Sequence, residues 1–318
     1  MADRMSPGRA VFAVVFLLLF VFSHSEELVV GLVKVLGTDP HGGWRIGLIV
    51  ADVVLLAAVG LLKGSISRTD GDRPRLWGWW GSAVVLLLAL DVILYFVSTP
   101  VWVDLAASTA YAASMGVLMA SSLNADPLTL VSTARRVGLP SDWRRVRAIV
   151  PLIVGTWACY LAGAAFVDYF DVGAMRDLAP ATATEVQALP LTEQLTVLSE
   201  LCQSAVNPGF FQLVVEVMPL LLLALGVEFN YFRQTLAEPT QRAVTAATVT
   251  VMSAGLVFAL STLPWDSEGC GDILSGWHEY LSFVLAMQGV FTGLATLVWL
   301  LIASTPADAI ADETLLGR

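Results

Sequence analysis

Charge is scarce in this chain, and histidine and cysteine are scarcer. Of its 318 residues, 14% are Asp, Glu, Lys or Arg, whereas 57% are hydrophobic and the mean hydropathy is +0.75. One water-soluble core cannot enclose that much apolar surface, so an ordinary globular protein is excluded and lipid becomes the main solvent. Catalytic signatures are missing as well. The sequence has no H-E-x-x-H helix, no G-x-S-x-G elbow, no P-loop and no G-x-G-x-x-G opening. The three histidines, His24, His41 and His278, include no pair spaced as ligands on one helix face, nor the facing pair deep in a bundle that a bis-histidine haem requires. Neither an enzyme nor a resident cofactor is expected.

Long apolar runs are what the chain does have. A hydrocarbon slab of roughly 30 Å takes about 20 helical residues to cross, and within it every backbone polar group must be bonded internally. Eight runs fit, at about 9–24, 45–63, 77–98, 101–122, 148–169, 209–229, 242–262 and 277–303. They lack the alternation of barrel strands and are about twice too long for them. The expected fold is all-α, a polytopic transmembrane helical bundle forming a single integral membrane domain. Arg4 and Arg9, then Val11 to Phe22, then Ser23-His24-Ser25 also suit a signal peptide, whose cleavage would leave seven spans; an uncleaved signal anchor is the preferred reading.

Basic residues are sorted between the loops. One side holds 14 of the 17 Lys and Arg, among them Lys63, Arg68, Arg73, Arg75, Arg135, Arg136, Arg144, Arg145 and Arg147, and the other holds Lys34, Arg45 and Arg176. The positive-inside rule makes the basic side cytoplasmic, with both termini inside and a cell-membrane location. The opposite loops carry an excess of acids, and the net charge is −10. That balance favours cations and disfavours nucleic acid. Trp77, Trp79, Trp80, Trp102 and Trp277 stand at span ends as interfacial anchors. The Arg clusters at 135–136 and 144–147 are expected to meet anionic lipid headgroups.

Within this bundle, Asp52 and Glu216 sit at similar depths and Trp102-Val103-Asp104 echoes Trp277-His278-Glu279, a pattern consistent with a weak four-plus-four repeat of 1–122 and 148–303. The external loop at 170–208 contains Leu191, Leu195, Leu198 and Leu201, spaced as a short amphipathic helix after Pro190. Small residues at four-residue steps, Ala106-Ala110-Ser114 and Ala246-Thr250-Ala254, mark spans four and seven as central.

Asp52, Asp91 and Glu216 are the acids well inside spans. A charge at bilayer depth costs at least about 2.5 to 3.5 kcal/mol on insertion scales, so such groups face an interior, water or a partner. All three lie toward the outer side, with no Lys or Arg at matching depth, and they are expected to converge on one polar cavity. Asp104 and Glu279 are secondary outer acids. His24, His41 and His278 with nearby carboxylates are weak candidates for a metal. Cys202 and Cys270 fall in outer loops and are expected to form a disulfide, whereas Cys159 reads as a packing residue. Two functions follow: a transporter or channel moving a cation or proton through an outward-open acidic cavity, or a non-catalytic membrane subunit or receptor-like scaffold that binds a partner through its outer loops.

Overall fold

A computed structural model describes residues 7–26, 28–29, 32, 44–96, 101–177, 184–185, 188–190, 208–232, 239–263 and 273–303. Regular structure among them is entirely helical. Helix α1 runs Pro7–Phe16 and continues as a π-helical stretch, Leu17–Phe22. It is followed by α2 (Trp44–Asp70), α3 (Pro74–Phe96) and α4 (Val101–Ser122). A 3-10 turn (Pro127–Leu130) and short α5 (Thr133–Gly138) lead to α6 (Pro140–Asp177). Helices α7 (Pro208–Phe232), α8 (Pro239–Thr262) and α9 (Ile273–Ala303) complete the bundle. Seven of these, α2 to α4 and α6 to α9, are long and apolar enough to cross a membrane, and Gly8–Phe22 is a shorter apolar helix beside them. The chain is a multi-pass integral membrane protein.

Proline sets the helix starts. Pro7, Pro74, Pro140, Pro208 and Pro239 each open a helix, where the missing N–H removes a donor that would have had no partner and the fixed φ already suits the first turn. Spans three, five and seven therefore begin at 74, 140 and 239, earlier than apolarity alone indicates. Two left-handed residues stop helices at the basic end. Gly71 (φ 92) turns α2 into α3, and Asn124 (φ 56) ends α4. Asn124 N donates to Ser121 O and Ala125 N to Ala120 O, the paired bonds of a Schellman cap. The Asn124 side-chain amide donates to Gly71 O at 3.1 Å, tying the two stops together.

The basic end is a folded clasp. Asp126, buried, accepts from Arg135 at 2.6 Å and lies 3.8 Å from Arg75. Asp142, also buried, accepts from Arg73 at 2.7 Å and from the Asp126 backbone N–H at 3.0 Å. Arg145 pairs with Asp70 and donates to Leu123 O, while Arg136 donates to the Thr129 and Leu130 carbonyls and stacks on Trp143. Clusters read from sequence as topological signals and lipid contacts thus bind the protein itself, although Arg144 is exposed.

Helices α8 and α9 form the centre, each with half of its apolar window buried, whereas α3 and α7 are peripheral at 22%. The expected central pair was spans four and seven; span seven is α8, but span four (α4) is less buried than α9. Glycine explains the difference. A Cβ on Gly155 of α6 would lie 2.6 Å from the Thr292 Cα on α9, and one on Gly255 of α8 would lie 2.7 Å from Leu285 O. The first helix is also core: Val14, Val15, Leu18 and Leu19 are fully buried, and α1 packs on α2 and α8.

Candidate functional site: a buried carboxylate pair

Helices α2 and α3 are antiparallel neighbours joined by the turn at Gly71. Asp52 lies eighteen residues before Asp70 and Asp91 seventeen after Pro74, so both stand about 26 Å above that turn at the helical rise. Each points inward, with 1% and 3% of its surface exposed. The two carboxylates lie within electrostatic reach of each other and of Glu26, which follows the π-helical stretch of α1.

Polar supply to the pair is incomplete. Ser25 is the side-chain hydroxyl facing Asp52, yet both Asp52 carboxylate oxygens are enclosed with no hydrogen-bond partner at normal geometry. Tyr111 of α4 donates to Asp91, whose Oδ2 is enclosed without a partner. Among the described residues neither acid forms an ion pair. Leaving a buried acceptor unbonded costs roughly 1 to 3 kcal/mol, and more when it is charged. The enclosed oxygens of the pair thus retain unused acceptor capacity.

Aromatic rings brace the side facing the bundle. Phe22 stacks on Tyr111 with centroids 6.0 Å apart, and Tyr111 meets Tyr160 of α6 edge-on at 5.5 Å. The Tyr160 hydroxyl donates to Ser23 Oγ at 2.9 Å. Ser23 uses both its N–H and its hydroxyl on Leu18 O, closing the wider i to i−5 turn that a π-helix makes. Below, Gln288 of α9 donates through Nε2 to Leu19 O at 2.9 Å, and its Oε1 accepts from His24 Nε2 at 3.0 Å. Helices α1, α2, α3, α4 and α6 thus meet around one polar locus, and α9 holds α1 in place.

Not every expected residue joins it. Glu216 is exposed on α7, a helix that packs on α8 and α9. It shares an outward face with Gln212, Leu213, Val217 and Leu220. Glu216 thus stands apart from Asp52 and Asp91 in this arrangement, because helix rotation, not depth, decides which side an acid faces. Asp52 and Glu216, which suggested the repeat, accordingly occupy unlike environments. Asp104 lies in the first turn of α4, where a negative charge complements the helix dipole. Glu279 follows His278 on α9, and its side chain lies outside the described ones.

The histidines do not assemble either. His24 engages Gln288 and His278 engages Ser261 at 2.9 Å; ten residues of α9 separate His278 from Gln288, about 15 Å along the helix. His41, Cys202, Cys270 and the leucines after Pro190 lie outside the described residues. Among the described residues no group of three or more His, Cys, Asp or Glu could hold a metal ion. Cys159 is buried and its Sγ donates to Val284 O at 3.2 Å.

Sequence reading missed Tyr111, Ser25 and Glu26 as neighbours of the pair. A hydroxyl in an apolar span is a weak signal, whereas a carboxylate there is a strong one. Compared with known proteins, the sequence matches no family model, and no curated protein or solved structure matches it.

Proposed function

We propose that the protein is a membrane transporter in which Asp52 and Asp91 bind a proton, or a small cation in its place, taken from the acidic side of the bundle. The observation that carries this reading is the pair itself: two enclosed carboxylates within electrostatic reach, with three of their four oxygens without a partner and no basic group paired with them among the described residues. Two ionised carboxylates held together away from water repel, and a proton or cation between them relieves the repulsion. Glu26, exposed and close to both, extends the negative field toward the acidic loops and would draw cations to the site. On the orientation set by the basic residues, uptake is from outside and the membrane is the cell membrane.

The test is flux in liposomes containing the purified chain and a pH indicator, with D52N, D91N and E216Q variants. Either aspartate variant should lower proton or cation flux at least tenfold, and E216Q should leave it near wild type. Full flux in a correctly folded D52N/D91N double variant would overturn the mechanism.

A second reading rests on Glu216. A carboxylate exposed on an apolar helix face beside Gln212 costs several kcal/mol in lipid unless a neighbouring helix meets it. A scaffold or subunit that docks a membrane partner along α7 would account for that residue. Wild-type protein that moves neither protons nor cations favours this second reading.

A further inference from the structure

The basic end of α2 carries a second ionisable group that the sequence reading had counted as a loop charge. Lys63 lies eleven residues beyond Asp52 on the same helix, about 16 Å along its axis. Asp52, Leu56, Val59, Lys63 and Ser67 follow one another at steps of four, three, four and four, and all are buried. They form a single inward stripe. A lysine at a membrane boundary normally extends its ammonium to water. Here the side chain turns inward, is fully buried, donates to Ser121 O at 2.5 Å, and lies 4.8 Å from the Trp77 ring centroid.

Its surroundings are short of partners. Ser67 Oγ, Ser122 Oγ, Asn124 Oδ1 and Arg145 Nε are enclosed there without hydrogen bonds. Contacts from Asn124 to Gly71, from Arg145 to Asp70 and Leu123, and from Lys63 to Ser121 place these groups together between the ends of α2, α4 and α6. No carboxylate lies within ion-pairing distance of Lys63 among the described residues. The charged groups around it are Asp72 in the α2–α3 turn, which acts on it from a distance and accepts from the Trp77 ring N–H, and the Arg145–Asp70 pair. Helix α4 meets it with the Ser121 carbonyl and brings no charged side chain to it among the described residues.

We propose that Lys63 is the inner station of the path that begins at Asp52 and Asp91: its ammonium releases a proton to the basic side and its amine accepts the next one. This rests on the transport reading above. Leu56 and Val59 lie between the two stations on the α2 stripe, so Asp52 and Lys63 do not exchange a proton directly in this arrangement. Water must enter as the helices move apart, each transfer passing one proton from carboxylic acid to water to amine. The unpartnered hydroxyls of Ser67 and Ser122 would hold that water beside the amine.

Lys63 also caps the Ser121 carbonyl near the end of α4, and the test must separate capping from proton exchange. Arginine keeps the charge and the donors but does not deprotonate, whereas histidine titrates near neutrality. Proton flux in liposomes is compared for wild type, K63R, K63H and K63M, each first checked for native helix content and a single size-exclusion peak. The relay requires K63R and K63M to fall at least tenfold and K63H to retain flux with its optimum moved to lower pH. Wild-type flux in folded K63R overturns the assignment. Should K63R not fold, equal flux in K63H and K63M overturns it instead. Flux that needs Asp52 and Asp91 but is indifferent to Lys63 removes this inference alone, whereas a wild type that moves no protons removes both.

Discussion

At the scale of single residues, what decides a polar group's role in this bundle is whether its hydrogen bonds are complete. Gln288 is complete: it serves His24, Leu19 O and Thr156 across three helices while fully buried. Asp52 is not. The contrast separates a group that holds the structure from one with acceptor capacity left over. Replacing Gln288 with leucine should therefore destabilise without touching the acid pair directly, by about 2 to 4 kcal/mol for two buried groups left unbonded. Thermal unfolding in detergent measures this. A Q288L protein as stable as wild type would show that the bonds to α1 contribute nothing. Asp52 and Asp91 were legible in the sequence, since an acid inside an apolar run stands out against everything around it. Gln288, Thr292 and Thr296 were not singled out, although their spacing of four places them on one buried face of α9. Uncharged side chains at that spacing do not distinguish a bonding line from ordinary packing.

At the scale of helices, length and apolarity are enough to find the spans, because lipid imposes both. Rotation about each axis is not set that way. Lipid tails and neighbouring helices are equally apolar, so a span hydrophobic all round carries little sign of its inward face. This is why Glu216 was expected beside Asp52 and faces outward instead. Close contacts are the better guide to rotation, and here they are made by glycine. Gly155 meets both the Cγ2 and the backbone of Thr292, and although a side chain can turn, the backbone atoms cannot yield without moving the helix. G155A should push α6 from α9 and cost on the order of 1 to 3 kcal/mol, the usual range for overpacking. G64A, where nothing lies within 4 Å of the added carbon, is the control and should be neutral or slightly stabilising through helix propensity. Equal melting temperatures for the two variants would contradict the packing of α6 on α9.

For the whole molecule, the sorting of 14 basic residues to one side against 3 on the other is a statement about orientation, and the structure makes it testable along one helix. Helix α6 runs Pro140–Asp177 without a break. At the helical rise its thirty-eight residues extend about 57 Å, beyond the roughly 40 to 45 Å of a bilayer with its headgroups. A crossing by α6 would put its two ends in different compartments. The clasp of Asp126 and Asp142 with Arg73, Arg75 and Arg135 surrounds the end at Pro140, so that end belongs to the basic side. Glu185, eight residues beyond the far end in sequence and exposed, is then expected on the other. Single cysteines at 140 and 185, introduced after the three native cysteines are replaced, should report this with a membrane-impermeant thiol reagent on intact cells: position 185 reacts, and position 140 reacts only after permeabilisation. The opposite pattern would invert the direction of uptake argued for Asp52 and Asp91 while leaving the pair itself intact. Labelling of both positions from outside would contradict the crossing of α6, and with it the bundle that brings Tyr160 beneath the acids.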